Sequence, residues 1–129
     1  MTYHTLIIVG RLGGSPEMRY LPNGQAVVNF SVATDRSYKD SSGNTQKITT
    51  WFKVSVFGKM AEACNEYLSK GSMVLVEGVL NPGENGHPKV WTSNSGVFGA
   101  NYEVFAQTVR FLSTQKKQES EVMDEQIPF

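Results

Sequence analysis

The chain holds a single cysteine, Cys64, and two histidines, His4 and His87. One thiol cannot close an intrachain disulfide, and no spacing among these three residues suits a metal ligand set. No apolar run approaches the length of a bilayer span, and Met1-Thr2-Tyr3-His4 carries no basic leader region. A cytosolic setting is therefore expected, and the sequon Asn29-Phe30-Ser31 is a coincidence. There is no Gly-x-x-x-x-Gly-Lys-Ser/Thr loop, and Gly10-Arg11-Leu12-Gly13-Gly14 lacks the spacing of a dinucleotide fingerprint. No nucleophile, acid pair or Ser/His/Asp motif can be placed, so neither catalysis nor a metal or cofactor is expected. Cys64 reads as a small buried hydrophobe.

Net charge is also lacking: twelve Lys and Arg balance twelve Asp and Glu. The distribution is less neutral than the total. Up to Thr114 there are ten basic residues against eight acidic ones, and after it two against four. A mildly basic body is joined to an acidic end. Residues 36–59 carry Arg36, Lys39, Lys47, Lys53 and Lys59 against Asp40 alone. That excess suits a polyanion, although a solvated surface with scattered lysines has the same composition.

What is present is a β pattern. Turn signals at Gly13-Gly14-Ser15-Pro16, Pro22-Asn23-Gly24, Ser41-Ser42-Gly43-Asn44, Asn81-Pro82-Gly83 and Asn85-Gly86 separate segments rich in Val, Ile, Thr and aromatics. Strands are predicted over 4–12, 25–36, 47–57, 73–80 and 101–112. A helix is predicted over 59–69, where Met60, Cys64, Tyr67 and Leu68 form one stripe and Lys70-Gly71 supplies the stop. The chain is the size of one domain. Five strands with a helix between the third and fourth is the order of the all-β Greek-key barrel called the OB-fold. The Gly- and Asn-rich segment 81–100, with Val90-Trp91-Thr92 inside it, is expected to protrude as a hairpin or loop. Residues 1–112 form the domain, 113–123 a short flexible linker, and 124–129 an acidic tip.

The third strand carries the chemistry. Side chains alternate with a period of two, so Ile48, Thr50, Phe52, Val54 and Val56 form a core-type face. Thr49, Trp51, Lys53, Ser55 and Phe57 form the other. A buried face does not hold an ammonium at its centre, so the odd face is expected in solvent. Two large rings exposed there suit base stacking, with Lys53 beside them for phosphate. The competing reading is a subunit contact filled by Trp51 and Phe57. Tyr38 among Arg36 and Lys39, and Trp91 after Lys89, place further rings beside cations on loops; alternatively each packs on its own hairpin. Arg36, Lys39, Lys53, Lys59 and Lys89 are the candidate phosphate ligands.

These residues carry a resemblance. Leu6-Ile7-Ile8-Val9-Gly10-Arg11-Leu12-Gly13, Val28-Asn29-Phe30-Ser31-Val32-Ala33-Thr34, Thr50-Trp51-Phe52-Lys53-Val54 and Phe57-Gly58-Lys59-Met60-Ala61-Glu62 resemble the bacterial single-stranded DNA-binding proteins. The resemblance implies a homotetramer that binds and protects single-stranded DNA without strong sequence preference, in the nucleoid-bearing cytoplasm. It maps the family's stacking rings onto Tyr38, Trp51, Phe57 and Trp91. Tyr38 stands where tryptophan is common, and Phe52 where a histidine near the subunit contact is frequent. Asp124-Glu125-Gln126-Ile127-Pro128-Phe129 is similar to the tip through which the family recruits replication, recombination and repair proteins. Asp124, Glu125, Ile127, Pro128 and Phe129 are the implied docking residues, with Gln126 replacing an acid. The linker is only eleven residues, spanning roughly 20 Å. The alternative is a primosomal-type protein-interaction module, whose relatives generally lack this ending.

Overall fold

A computed structural model of the chain describes residues 1–113. The expected linker beyond Ser113 and the acidic tip lie outside them. The strands are β1 (Leu6–Leu12), β2 (Glu17–Tyr20), β3 (Ala26–Lys39), β4 (Thr45–Phe57), β5 (Met73–Leu80), β6 (Lys89–Thr92) and β7 (Phe98–Ser113), with α1 (Lys59–Tyr67) between β4 and β5. Five of them close a barrel in the order β1-β5-β7-β4-β3, and β3 returns to β1. The OB-type barrel predicted from the element order is the fold observed. β2 is added outside β3, and β6 pairs back onto β7 as the hairpin expected in 81–100.

Alternation builds the interior. Val28, Phe30 and Val32 of β3, Val54 and Val56 of β4, and Val74 and Val76 of β5 are all buried. Ile8, Leu12, Val104 and Val109 complete the lining, and each apolar side chain removed from water stabilises the fold by about 1.5–3 kcal/mol. β7 keeps pace with the curvature through a bulge. Glu77 pairs with Thr108 and Gly78 with Ala106, so Gln107 is skipped and inward residues change from even to odd numbers.

The helix differs from its predicted stripe. Ala61, Cys64 and Leu68 are buried, whereas Met60 and Tyr67 are exposed at its flanks. The cluster into which the first three pack is the barrel core, and burial pushes the Cys64 thiol up to about 12. The helix also stops two residues early. Leu68 is extended, buries its side chain, and donates its N–H to the Cys64 carbonyl. Gly71, with φ of 92°, serves the turn into β5 instead of the helix end.

β3 and β4 stay paired from Val27–Phe57 out to Lys39–Thr45, well past the last core residue of either strand. Their outer part is a two-stranded ribbon, which is why Ile48, assigned to the core face, is exposed. Asp40 holds the ribbon's turn: its carboxylate accepts from the N–H groups of Ser42 and Asn44 (2.9 Å each) and from Gln46 Nε2 (3.1 Å). The bonds from Asn44 and Gln46 keep this carboxyl below the ordinary carboxylate value of 3.8. A depressed folded value means that the stabilisation is present above the ordinary value and is lost as pH falls through the folded one. The ribbon tip should therefore loosen in acid below pH 3.8 while the barrel persists. Amide shifts of Ser42 and Asn44 followed by NMR during acidification check this, and Asp40→Ala should produce the loosened tip already at neutral pH.

Candidate nucleic-acid interface

The register decides which side chains share a surface. β4 presents Trp51, Lys53, Ser55 and Phe57 outward, opposite Ala33, Ser31, Asn29 and Val27 of β3. On its other side β4 runs parallel to β7, with Lys53 beside Glu103 and Ser55 beside Phe105. Trp51, Lys53 and Phe57 are exposed, in agreement with the expected solvent face. Phe105 joins that face, its ring 5.8 Å from that of Phe57 at 59°. The sequence offers no local signal for Phe105, because its neighbourhood comes from a pairing across 50 residues of chain.

A groove of about 620 Å³ lies on this face, lined by Trp51, Lys53, Ser55, Asn29, Ser31 and the 13–15 loop, among others. Trp51 forms one wall, and its ring occupies the space where a side chain on Gly13 would lie. A second groove, with Arg11, Asp35 and Met73 in its lining, borders Trp51 as well. The indole is thus exposed to ligand from two directions while its seat fixes its tilt.

Trp91 is seated in the same manner. It pairs with Gly99, and its ring fills the space a side chain there would need. Gly99 alternates with Asn101 and Glu103 on β7, so the Trp91 face of the β6–β7 hairpin continues the Lys53 face of the barrel. Lys89, two residues before Trp91, is within 3.3 Å of Glu103 Oε1. This lysine is already engaged, and the ion pair ties the hairpin to the barrel. Exposed pairs of this sort contribute only about 0–1 kcal/mol, so the tie is breakable.

Tyr38 and Arg36 are not brought to the same side. They pair with Gln46 and Ile48, the even positions of β4, and therefore lie on the reverse of the ribbon from Trp51 and Lys53. There the Arg36 guanidinium stands 5.8 Å from the Tyr38 ring centroid. Lys39 shares the Trp51 parity, as does Lys47 opposite Ser37. Lys59 is exposed at the first residue of α1, just past Phe57, and lines neither groove. The four aromatic candidates remain accessible, at 42% for Tyr38, 51% for Trp51, 38% for Phe57 and 45% for Trp91. Trp91 keeps this exposure while resting on Gly99 of its own hairpin.

The model of the single-strand binding protein family matches residues 3–112. Single-stranded DNA-binding proteins of two Neisseria meningitidis strains are each 35% identical over 112 residues, 87% of this chain and 61% of theirs. The chain thus spans less than two thirds of the length of these relatives. Among solved structures, a deletion mutant of the single-stranded DNA binding protein from Thermus aquaticus superposes with a TM-score of 0.65 at 25% identity, covering 84% of this chain and 50% of that one. A Plasmodium falciparum SSB in complex with ssDNA superposes with a TM-score of 0.72 at 24% identity, over 88% and 97%. With a family match over nearly all of the described barrel, the chain belongs to the single-strand binding protein family.

Proposed function

We propose that this protein binds and protects single-stranded DNA by stacking bases on its outer strand face and pairing phosphates with the cations beside it. The observation that carries this reading is the continuous surface of Trp51, Lys53, Phe57 and Trp91, exposed in a protein with no helix, among the described residues, long and apolar enough to cross a membrane. Large rings cost free energy in water, and a row of them separated by a lysine suits a chain of bases joined by phosphates. Stacking on every base equally makes the binding tolerant of sequence. Tyr38, with Arg36, extends the path to the reverse of the ribbon, and Lys39 and Lys59 add charge along it. Lys89 becomes available for phosphate only when it leaves Glu103.

The assembly we propose is a homotetramer. β1 pairs with β3 only at Arg11 and Leu12, so residues 6–10 keep an open strand edge, with Ile7 and Val9 exposed beside it. An uncovered apolar edge is a liability that a second copy would relieve. Replication, recombination and repair proteins are proposed to dock on Asp124, Glu125, Ile127, Pro128 and Phe129, with the acids speeding encounter and the apolar end filling a pocket.

Titration with oligo-dT should quench tryptophan fluorescence, with affinity falling as salt rises. Trp51→Ala and Trp91→Ala should each weaken binding by about 1–3 kcal/mol. Lys53→Ala should lower the log–log salt slope by about 0.7, the value for one phosphate contact on a single strand. An oligo-dT titration without a salt-sensitive signal would sink the reading; light scattering on the same samples should give four times the 14.3 kDa chain mass.

Gly13→Ala tests the seat of Trp51. The added methyl should displace the ring, shift its emission and weaken oligo-dT binding while the far-ultraviolet dichroism stays unchanged. Deleting residues 124–129 should abolish capture of a replication helicase or clamp loader and leave oligo-dT affinity equal or raised. Unchanged capture after the deletion would refute the docking assignment.

A further inference from the structure

A strand that stacks on both Trp51 and Trp91 has to pass Glu103. Trp91 rests on Gly99, which alternates with Asn101 and Glu103 along β7, and Glu103 stands beside Lys53 in the parallel pairing with β4. The crossing between the two ring surfaces is thus marked by an acid, which repels phosphates. Donors converge on it nonetheless. Lys89 Nζ lies 3.3 Å and Asn81 Nδ2 3.4 Å from the same oxygen, Oε1. The Asn81 N–H also donates to the Glu103 carbonyl at 2.8 Å, which fixes Asn81 against this residue. With Lys53 alongside on β4, two lysines and an amide surround one negative charge. The side chains of Glu103 and Lys89 are 22% and 41% exposed, so a ligand can reach both.

Ammoniums and a side-chain amide are the donors that hold a phosphate oxygen. A carboxylate offers them the same charge and the same acceptors. Resting on the proposed binding of single-stranded DNA, we infer that Glu103 is an internal competitor of the strand, its carboxylate occupying a phosphate site formed by Lys53, Lys89 and Asn81. Binding exchanges one anion for the other. Lys89 and the Asn81 amide leave Oε1 for a phosphate oxygen, and the freed carboxylate turns to water. Because the resident ion pair is partly exposed, it contributes little, and the exchange is easy. The stacking rings take no part in it. The acid sets the electrostatic share of the affinity below what the cations alone would give.

The experiment is a double-mutant cycle on oligo-dT affinity at one salt concentration, using the full chain, Glu103→Gln, Lys89→Gln and the two combined. Glu103→Gln frees Lys89 and should raise affinity by up to about fivefold, the most that an exposed ion pair contributes. With Lys89→Gln already in place no captive cation is left to free, and the same change should raise affinity less than half as much. Glu17→Gln removes an equal charge from the same groove without touching Lys89, so its gain should be the same with and without Lys89→Gln. In the Glu103→Gln background, Lys89→Gln should also lower the log–log salt slope by about 0.7, the value for one phosphate contact. Equal gains from Glu103→Gln in both Lys89 backgrounds would overturn the inference and leave a general charge effect. A loss of affinity on Glu103→Gln would overturn it as well, making the ion pair a structural tie. No binding of oligo-dT by the unaltered chain would be a failure of the proposed function itself, whereas binding with an additive cycle removes only the competitor.

Discussion

The unbroken pairing of β3 with β4 is the constraint on which the rest of the molecule depends. Each residue from Val27 to Lys39 has a partner between Thr45 and Phe57, so the parity of one strand fixes that of the other. Because the inner face must be Val28, Phe30, Val32, Val54 and Val56, the outer face is bound to carry Trp51, Lys53 and Ser55. A slip of one residue would bury Lys53 and expose five core side chains. The cost of desolvating that ammonium reinforces the register that hydrophobic burial selects. The surface chemistry and the core are in this sense one decision.

Closure of the barrel recruits the remaining site residues. β7 lies parallel to β4 and antiparallel to β5, and only in that position does Glu103 come beside Lys53. The same strand continues into the hairpin that carries Trp91, which links the two tryptophans through a single backbone. Two glycines, at 13 and 99, give the indoles their seats. The rings are exposed on one side and supported on the other, so less side-chain entropy is left to lose when a ligand stacks on them.

The sequence made local periodicities legible and left distant pairings hidden. The alternation of Ile48 to Phe57 identifies an inner and an outer face, and the lysine at its centre tells which is which. The helix was visible because three small or apolar residues recur on one side, although Met60 and Tyr67 misplaced that side by a fraction of a turn. β2 has no such signal: Glu17-Met18-Arg19-Tyr20 is a four-residue segment flanked by Pro16 and Pro22 and is a strand only because Ala26 to Asn29 pair with it. Phe105 and Glu103 are hidden for the same reason. Each is an ordinary residue in its own segment and acquires a role through a neighbour that the chain reaches by folding. Tyr38 is legible as a ring beside Arg36 and Lys39, and only the register with Gln46 reveals that it lies on the reverse of the ribbon from Trp51.

The outer part of the β3–β4 ribbon contributes no side chain to the core cluster, since Asp35 to Lys39 and Thr45 to Thr49 are all exposed. Its length is consequently decoupled from folding. Adding or removing a pair of residues on each arm would keep the alternation, leave the barrel as it is, and change only how far the Tyr38 end reaches. The structure separates a part that has to be conserved to fold from a part that evolution can lengthen or shorten to suit the polymer it follows.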